Sequence, residues 1–180
     1  MNWLGDKVNE LIKDYNSILD IGCGNGVTFI PLKENVCYVG IEANPQRIVS
    51  FKKELHKNKI SEDNKFFLIH NFSDGNILFV KDSFDCVVLL DVIEHLSKEN
   101  AEMLLKNIEV VAKKMVIIFT PLFFLEQESI NDLSFDKKYD THKCGFDSKE
   151  FEDKGYVVEL FDGDKSHKRE HKAILAVKRK

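Results

Sequence analysis

The segment "LLDVIEHL", Leu89 to Leu96, ends an apolar run on Asp91 and then sets Glu94 beside His95. Two carboxylates and an imidazole at this spacing can hold a divalent cation, take a proton from a substrate, or orient one by hydrogen bonding. A further imidazole, His142, lies in "YDTHKCGF". An unperturbed imidazole titrates near pH ~6.5, so either histidine suits proton removal at neutral pH. From residue types alone the three uses of Asp91, Glu94, His95 and His142 stand open.

The stretch "ILDIGCGNG" carries different chemistry. Gly22, Gly24 and Gly26 form a GxGxG turn after a strand-like run, and glycine lets the backbone turn sharply and approach a ligand closely. A dinucleotide fingerprint would read GxGxxG and aim a helix N-terminus at a pyrophosphate. Here the third glycine comes one residue early, and Asp20 stands two residues before the first. A carboxylate there suits an ammonium group better than phosphates. Glu42, twenty residues past Gly22, ends a second apolar run, where it can accept hydrogen bonds from both hydroxyls of a ribose. Cys23 sits inside the turn and contributes its backbone rather than its thiol.

The elements that position these groups follow from the apolar pattern. Leu4, Val8, Leu11, Ile12 and Tyr15 recur at helical spacing. "SILDI", "CYVGI", "KFFLIH", "FDCVVLL" and "MVIIFT" are short, nearly continuous apolar runs, as in a parallel sheet covered on both faces. Asn44 with Pro45 predicts a capped helix start, with Ile48, Phe51 and Leu55 on its inner face. Ser97 caps a second helix with the stripe Ala101, Leu104, Leu105, Ile108, Val111 and Ala112. Asp147 with Glu150 predicts a capping box and hence a structural role for Asp147. "GYVVELF" and "KAILAV" have only "DGDKSHKREH" between them, too little for a crossover helix, so they should pair antiparallel. Ligands of such sheets bind at the carboxyl ends of the strands, which brings Asp91, Glu94 and His95 to that edge. The long connection from Pro121 to Phe146, which carries His142, is expected to be the binding loop.

These residues resemble the class I S-adenosylmethionine-dependent methyltransferases along nearly the whole chain. "ILDIGCGNG" is similar to their first motif, "VGIEANP" to their ribose-binding strand end, and "DSFDCVVLLDVIEHL" to their fourth-strand segment. The resemblance implies an α/β fold: a Rossmann-like seven-stranded, mostly parallel sheet with a C-terminal antiparallel hairpin and helices on both faces. It also implies S-adenosyl-L-methionine as cofactor. Asp20 and the backbone of Gly22, Cys23, Gly24 and Gly26 would take its methionine part, Glu42 and Ala43 its ribose, and Asn71 and Phe72 its adenine, with Leu90 beside them. Asn71 stands where many relatives have aspartate, and Pro31 implies a short or distorted helix after the turn. Many relatives carry a similar "EH" without a metal, so a structural or acceptor-orienting role is the preferred reading of Asp91, Glu94, His95 and His142, ahead of general-base catalysis by His95 or His142. No metal ligand is assigned. The segment also resembles, in part, the small-RNA 3′-end 2′-O-methyltransferases, which pair ExxEH with a later histidine; here the first acid is Asp91, one methylene shorter than glutamate.

Composition bounds the rest. The 180 residues are read as one methyltransferase domain, with an N-terminal helix at 1–16, a cofactor-binding half at 17–120, and an acceptor loop and hairpin at 121–180. A net charge of −4 gives no global reason for nucleic-acid binding, and the charged segment 162–172 is read as solvated surface. No apolar run is long enough to span a bilayer, no signal-peptide core is present, and four cysteines without CxxC spacing fit reduced thiols; a cytoplasmic location is expected. No GxSxG or Cys/His signature supports a nucleophilic hydrolase. Trp3 is read as the anchor of the first helix, and Phe123 and Phe124 as either acceptor-stacking or lid residues. The expectation is methyl transfer to an oxygen or nitrogen of a small molecule or saccharide-type metabolite, by a monomer or homodimer without membrane partners. The alternatives are a metal-assisted RNA 2′-O-methyltransferase and a silent cofactor-binding partner subunit.

Overall fold

A computed structural model describes residues 3–26, 35–77, 79–126, 140–162 and 171–180. Helix α1 (Trp3–Ile12) leads into β1 (Ser17–Ile21); β2 (Cys37–Glu42), α2 (Pro45–Lys57) and β3 (Lys65–Ile69) follow. Then come β4 (Phe84–Leu90), a 3₁₀ turn (Ile93–His95), α3 (Lys98–Val111) and β5 (Ala112–Pro121). The chain closes with α4 (Ser148–Glu152), β6 (Val157–Phe161) and β7 (Ala173–Arg179). Pro31, the loop centre 127–139 and the hairpin tip 163–170 lie outside the described residues.

The seven strands are ordered β3-β2-β1-β4-β5-β7-β6. β1 pairs in parallel with both β2 and β4, so the chain reverses its direction of travel across the sheet beside β1. That reversal opens a crevice at the carboxyl ends of β1, β2 and β4. β7 alone runs against the others, antiparallel to both β5 and β6, as the short hairpin connection predicts.

All seven residues of β4 are buried, the mark of a central strand covered on both faces. Val87 and Leu89 join the core beneath α3 and α4, while Cys86, Val88 and Leu90 join the core beneath α1 and α2. Burying one such side chain stabilises the fold by about 1.5–3 kcal/mol. The caps are as expected. Asn44 accepts from Gln46 N at 2.9 Å with Pro45 following, and Asp147 and Glu150 complete both bonds of a capping box. Trp3 anchors α1 by stacking on Phe161 (centroids 4.4 Å apart) and meeting Phe119 edge-on. Some boundaries differ: α1 ends at Ile12, short of the expected 1–16 and leaving Tyr15 beyond it, and Ala112, expected on the helix stripe, is the first residue of β5. The strand runs straight on from α3, and a register shift between Phe84 and Cys86 absorbs the extra residue opposite them. Among the described residues no helix is long and apolar enough to cross a membrane.

Candidate active site

The turn after β1 is built as its glycines require. Gly22, Gly24 and Gly26 take φ values of 70, 57 and 77°, and a Cβ on Gly22 would lie 2.5 Å from a Val92 methyl. Gly22 N and Cys23 N both donate to the Ile41 carbonyl, at 2.8 and 3.0 Å, tying the turn to the end of β2. The buried Glu42 carboxylate locks the same corner, accepting from Gly24 N at 3.0 Å and from Asn44 N at 2.9 Å. Asp20 lies beneath the turn, 3 % exposed, and accepts a 2.5 Å hydrogen bond from the Tyr38 hydroxyl. Burial pushes its carboxyl up to about 7 even though the Tyr38 bond works in the opposite direction. Burial also pushes the Cys23 thiol far up, so it is inert.

Two adjoining cavities open at this edge, and together they contain every residue expected to hold the cofactor. Asp20, Gly22, Cys23, Gly24, Gly26 and Leu90 line one. Gly22, Glu42, Ala43, Asn71 and Phe72 line the other, and Arg47, Asp91 and His95 border both. Asn71 Oδ1 accepts from Ser73 N at 3.0 Å, which fixes the amide orientation and turns its NH₂ outward as a donor.

The "DVIEHL" segment folds back over the end of β4. Asp91 takes a left-handed φ of 55° and donates its N–H to the Phe119 carbonyl, after which the 3₁₀ turn carries Glu94 inward and His95 toward the cavities. Glu94 is 2 % exposed and accepts from the Thr120 hydroxyl at 3.0 Å. Its backbone carbonyl accepts from Lys143 N (2.7 Å) and Cys144 N (3.2 Å), so the returning segment after the long loop is strapped onto the turn. His142 is thereby delivered beside His95, with ring centroids 4.9 Å apart. Glu94, His95 and His142 each offer one ligand atom, all within 4.8 Å of one another; Asp91 is not part of this cluster.

Each imidazole points one nitrogen at a backbone carbonyl: His142 Nδ1 at Leu125 (2.8 Å), and His95 Nδ1 at Thr141 (3.4 Å). A carbonyl can only accept, so Nδ1 carries a proton in each ring, and Nε2 is the nitrogen whose lone pair a neutral ring would offer. Burial, then the neighbouring His142, holds His95 below the usual imidazole range, favouring its neutral form. Glu94 and His142 line neither cavity; they stand behind His95.

Several site residues were not foreseen from sequence. Arg47, in the first turn of α2, pairs with Asp140 at 2.6 Å and so ties the cofactor side to the returning segment. A cation in a helix's first turn opposes the macrodipole, and that was the available signal. The roles of Thr120 and Lys143 left no such trace, since they depend on which strand ends meet, whereas His70 belongs to the strand-three end "HNFSDG" expected beside the adenine. Phe123 and Phe124 are exposed, with Gly145 tight against their backbone.

A family model described as a methyltransferase domain matches residues 18–115. No curated protein matches the sequence. Among solved structures, TehB from Haemophilus influenzae superposes over 100% of the chain with a TM-score of 0.70 and 15% identity, and the chain spans 62% of that protein. Magnesium protoporphyrin IX methyltransferase from Synechocystis, solved with S-adenosylhomocysteine bound, gives 0.69 at 15% identity, covering 99% of this chain and 83% of that one. The methyltransferase domain of bacterial CtHen1 gives 0.62 at 18% identity, covering 98% and 96%. At such identities these likenesses show the fold alone. With the family match spanning more than half of a chain that closes its parallel sheet with an antiparallel strand, the protein belongs to the methyltransferase-domain family, whose cofactor is S-adenosylmethionine.

Proposed function

We propose that the chain transfers the methyl group of S-adenosylmethionine to a hydroxyl oxygen of a sugar-type acceptor, with Glu94, His95 and His142 forming the acceptor end of the site. The observation that carries this reading is the convergence of one carboxylate and two imidazoles within 4.8 Å, of which His95 borders both cavities. Methyl transfer from a sulfonium needs chiefly alignment, which can supply up to ~7–11 kcal/mol of the barrier. A hydroxyl, unlike an amine, must also lose its proton, and a positioned base adds about 10²–10⁴-fold.

In this reading Asp20 and the glycine turn take the amino-acid end of the cofactor. Glu42 accepts from the ribose hydroxyls with the lone pairs its two backbone donors leave. Asn71 presents its NH₂ to a ring nitrogen of the adenine. His95 faces the acceptor hydroxyl, and Asp91 borders the same space.

The donor set also fits a divalent cation. Both imidazoles lean their Nδ1–H on carbonyls, and Thr120 steadies the carboxylate, the outer support that metal ligands require. A cation held by Glu94, His95 and His142 would supply Lewis acidity that eases ionisation of the hydroxyl. The same cluster favours a second reading, a ribose 2′-hydroxyl at an RNA end. His142 joins Glu94 and His95 as in the small-RNA 3′-end methyltransferases the segment resembles, although Asp91 departs from their first glutamate.

Tritium transfer from labelled cofactor tests both, using a saccharide panel and short RNAs with 2′-hydroxyl or 2′-deoxy 3′ ends, with manganese or after chelation. Transfer to a hydroxyl, reduced at least ~100-fold in His142→Ala, supports the proposal. Transfer only to amines, indifferent to His142→Ala, overturns it. Loss of label on 2′-deoxy RNA selects the second reading. Glu42→Ala should weaken cofactor binding by about 10-fold or more in calorimetry; unchanged affinity would overturn the ribose placement.

A further inference from the structure

The Asp20–Tyr38 pair lies deeper than any catalytic step needs, and the fold goes to some length to build it. Tyr38 stands on β2 across from Ile18, two residues before the Gly40 that pairs with Asp20. Its ring is fully buried between Phe51 and Phe67, with centroids 5.8 and 5.9 Å away. The path from that ring to Asp20 crosses Gly40, where a Cβ would lie 3.0 Å from the tyrosine ring and 2.9 Å from Cys23 Sγ. Only the missing side chain lets the phenol lean along the sheet and donate to Asp20 at 2.5 Å, the length of a hydrogen bond to a charged acceptor.

Among the described residues Tyr38 and Glu42 act on the Asp20 carboxyl from β2, Cys23 adjoins it from the turn and Cys86 from β4, while Arg47, Asp91 and His95 share the cavity it lines. A buried carboxylate with a phenol donor and an acidic neighbour is stabilised in its charged form by a countercharge brought into direct contact. The cavity that Asp20 lines is where the cofactor's ammonium would supply one.

We propose that Tyr38 is a positioning residue for the cofactor: its phenol, admitted by Gly40, holds Asp20 oriented and ready to ionise when the ammonium arrives. This rests on the placement of the amino-acid end given above, and it is independent of the acceptor. Burial leaves Asp20 with a pKa of about 7 before the cofactor binds. Binding below that pH must therefore release the Asp20 proton to solvent. Affinity should climb with pH, by up to about tenfold per unit, level off near neutrality, and fall again as the cofactor's own ammonium loses its proton near pH ~8.

The test is calorimetric titration of wild type, Tyr38→Phe, Asp20→Asn and Glu42→Ala between pH 5.5 and ~8.5. The two ligands are S-adenosylmethionine and 5′-methylthioadenosine, which lacks the amino-acid end. Tyr38→Phe keeps the ring and its packing. It should weaken S-adenosylmethionine about 10-fold at pH ~7.5 and move the levelling point upward by roughly one unit. Asp20→Asn should abolish the rise with pH, and both variants should bind 5′-methylthioadenosine as wild type does. Equal losses for the two ligands, or a levelling point that Tyr38→Phe leaves in place, would overturn the inference. Failure of the cofactor placement itself has a different signature: Glu42→Ala would leave both ligands unaffected, and the inference would fall with it.

Discussion

Asp20 carries two opposed demands: the fold buries it, and the proposed contact with the cofactor's ammonium needs it ionised. A carboxyl whose pKa rises on folding stabilises the fold while protonated. That contribution is complete below the unfolded value near ~4 and is lost as the pH rises to about 7. Asp20→Asn, which cannot ionise, should therefore gain stability over wild type as the pH goes from ~4.5 to 8, measured as the difference between their urea midpoints. A constant difference would contradict the raised pKa. Thr120 is the other residue with a narrow task. Thr120→Val removes the donor to the buried Glu94 carboxylate and should cost about 1–3 kcal/mol of stability in urea unfolding; Thr120→Ser should restore it. Asp20 and Glu42 could be read from their spacing to the glycines. Tyr38 could not, because its role depends on strand register and on the empty space at Gly40.

The element that matters most for the acceptor is the returning segment, 140–147. It is held from several sides: Arg47 to Asp140, Lys143 and Cys144 to the Glu94 carbonyl, and Lys98 to the Gly145 carbonyl at 2.8 Å. Phe123 N also donates to the Phe146 carbonyl at 2.7 Å, drawing the two arms of the loop together. Gly145 permits that approach, since a Cβ there would fall well inside contact distance of the Phe123–Phe124 backbone, which cannot give way like a flexible side chain. Gly145→Ala should displace His142 and reduce methyl transfer by more than ~10-fold while costing about 1–3 kcal/mol. Cofactor affinity by calorimetry should hardly change, because that site rests on β1 and β2. Asp147 and its capping box were legible as local sequence. His142 was expected beside Glu94 and His95 through the resemblance to enzymes that pair ExxEH with a later histidine, but its distance from them was not legible, since nothing in the chain near either residue states how their strand ends meet.

At the scale of the molecule, β7 closes the structure. It slots between β5 and β6, and Ile174 to Ala176 are buried. Ile174→Ala should cost about 2–5 kcal/mol in urea unfolding, with no direct effect on the cofactor contacts, because it removes core volume far along the sheet from β1. The reversal between β1 and β4 places the glycine turn, the end of β2 and the "DVIEHL" turn around one crevice. Residues far apart in the chain thus share one site.

By itself the sequence determined the alternation of strands and helices, the antiparallel finish, the glycine turn and its two acids, and so the cofactor. All of these rest on local periodicity, on backbone freedom and on short fixed spacings, which one chain displays openly. Tertiary structure decided the rest: the Tyr38 support beneath Asp20, the orientation of Asn71, the Arg47–Asp140 tie, and the gathering of Glu94, His95 and His142 without Asp91. Each depends on side chains from separate strands meeting within hydrogen-bonding or ligand distance, and that is set by sheet order and register rather than by proximity along the chain.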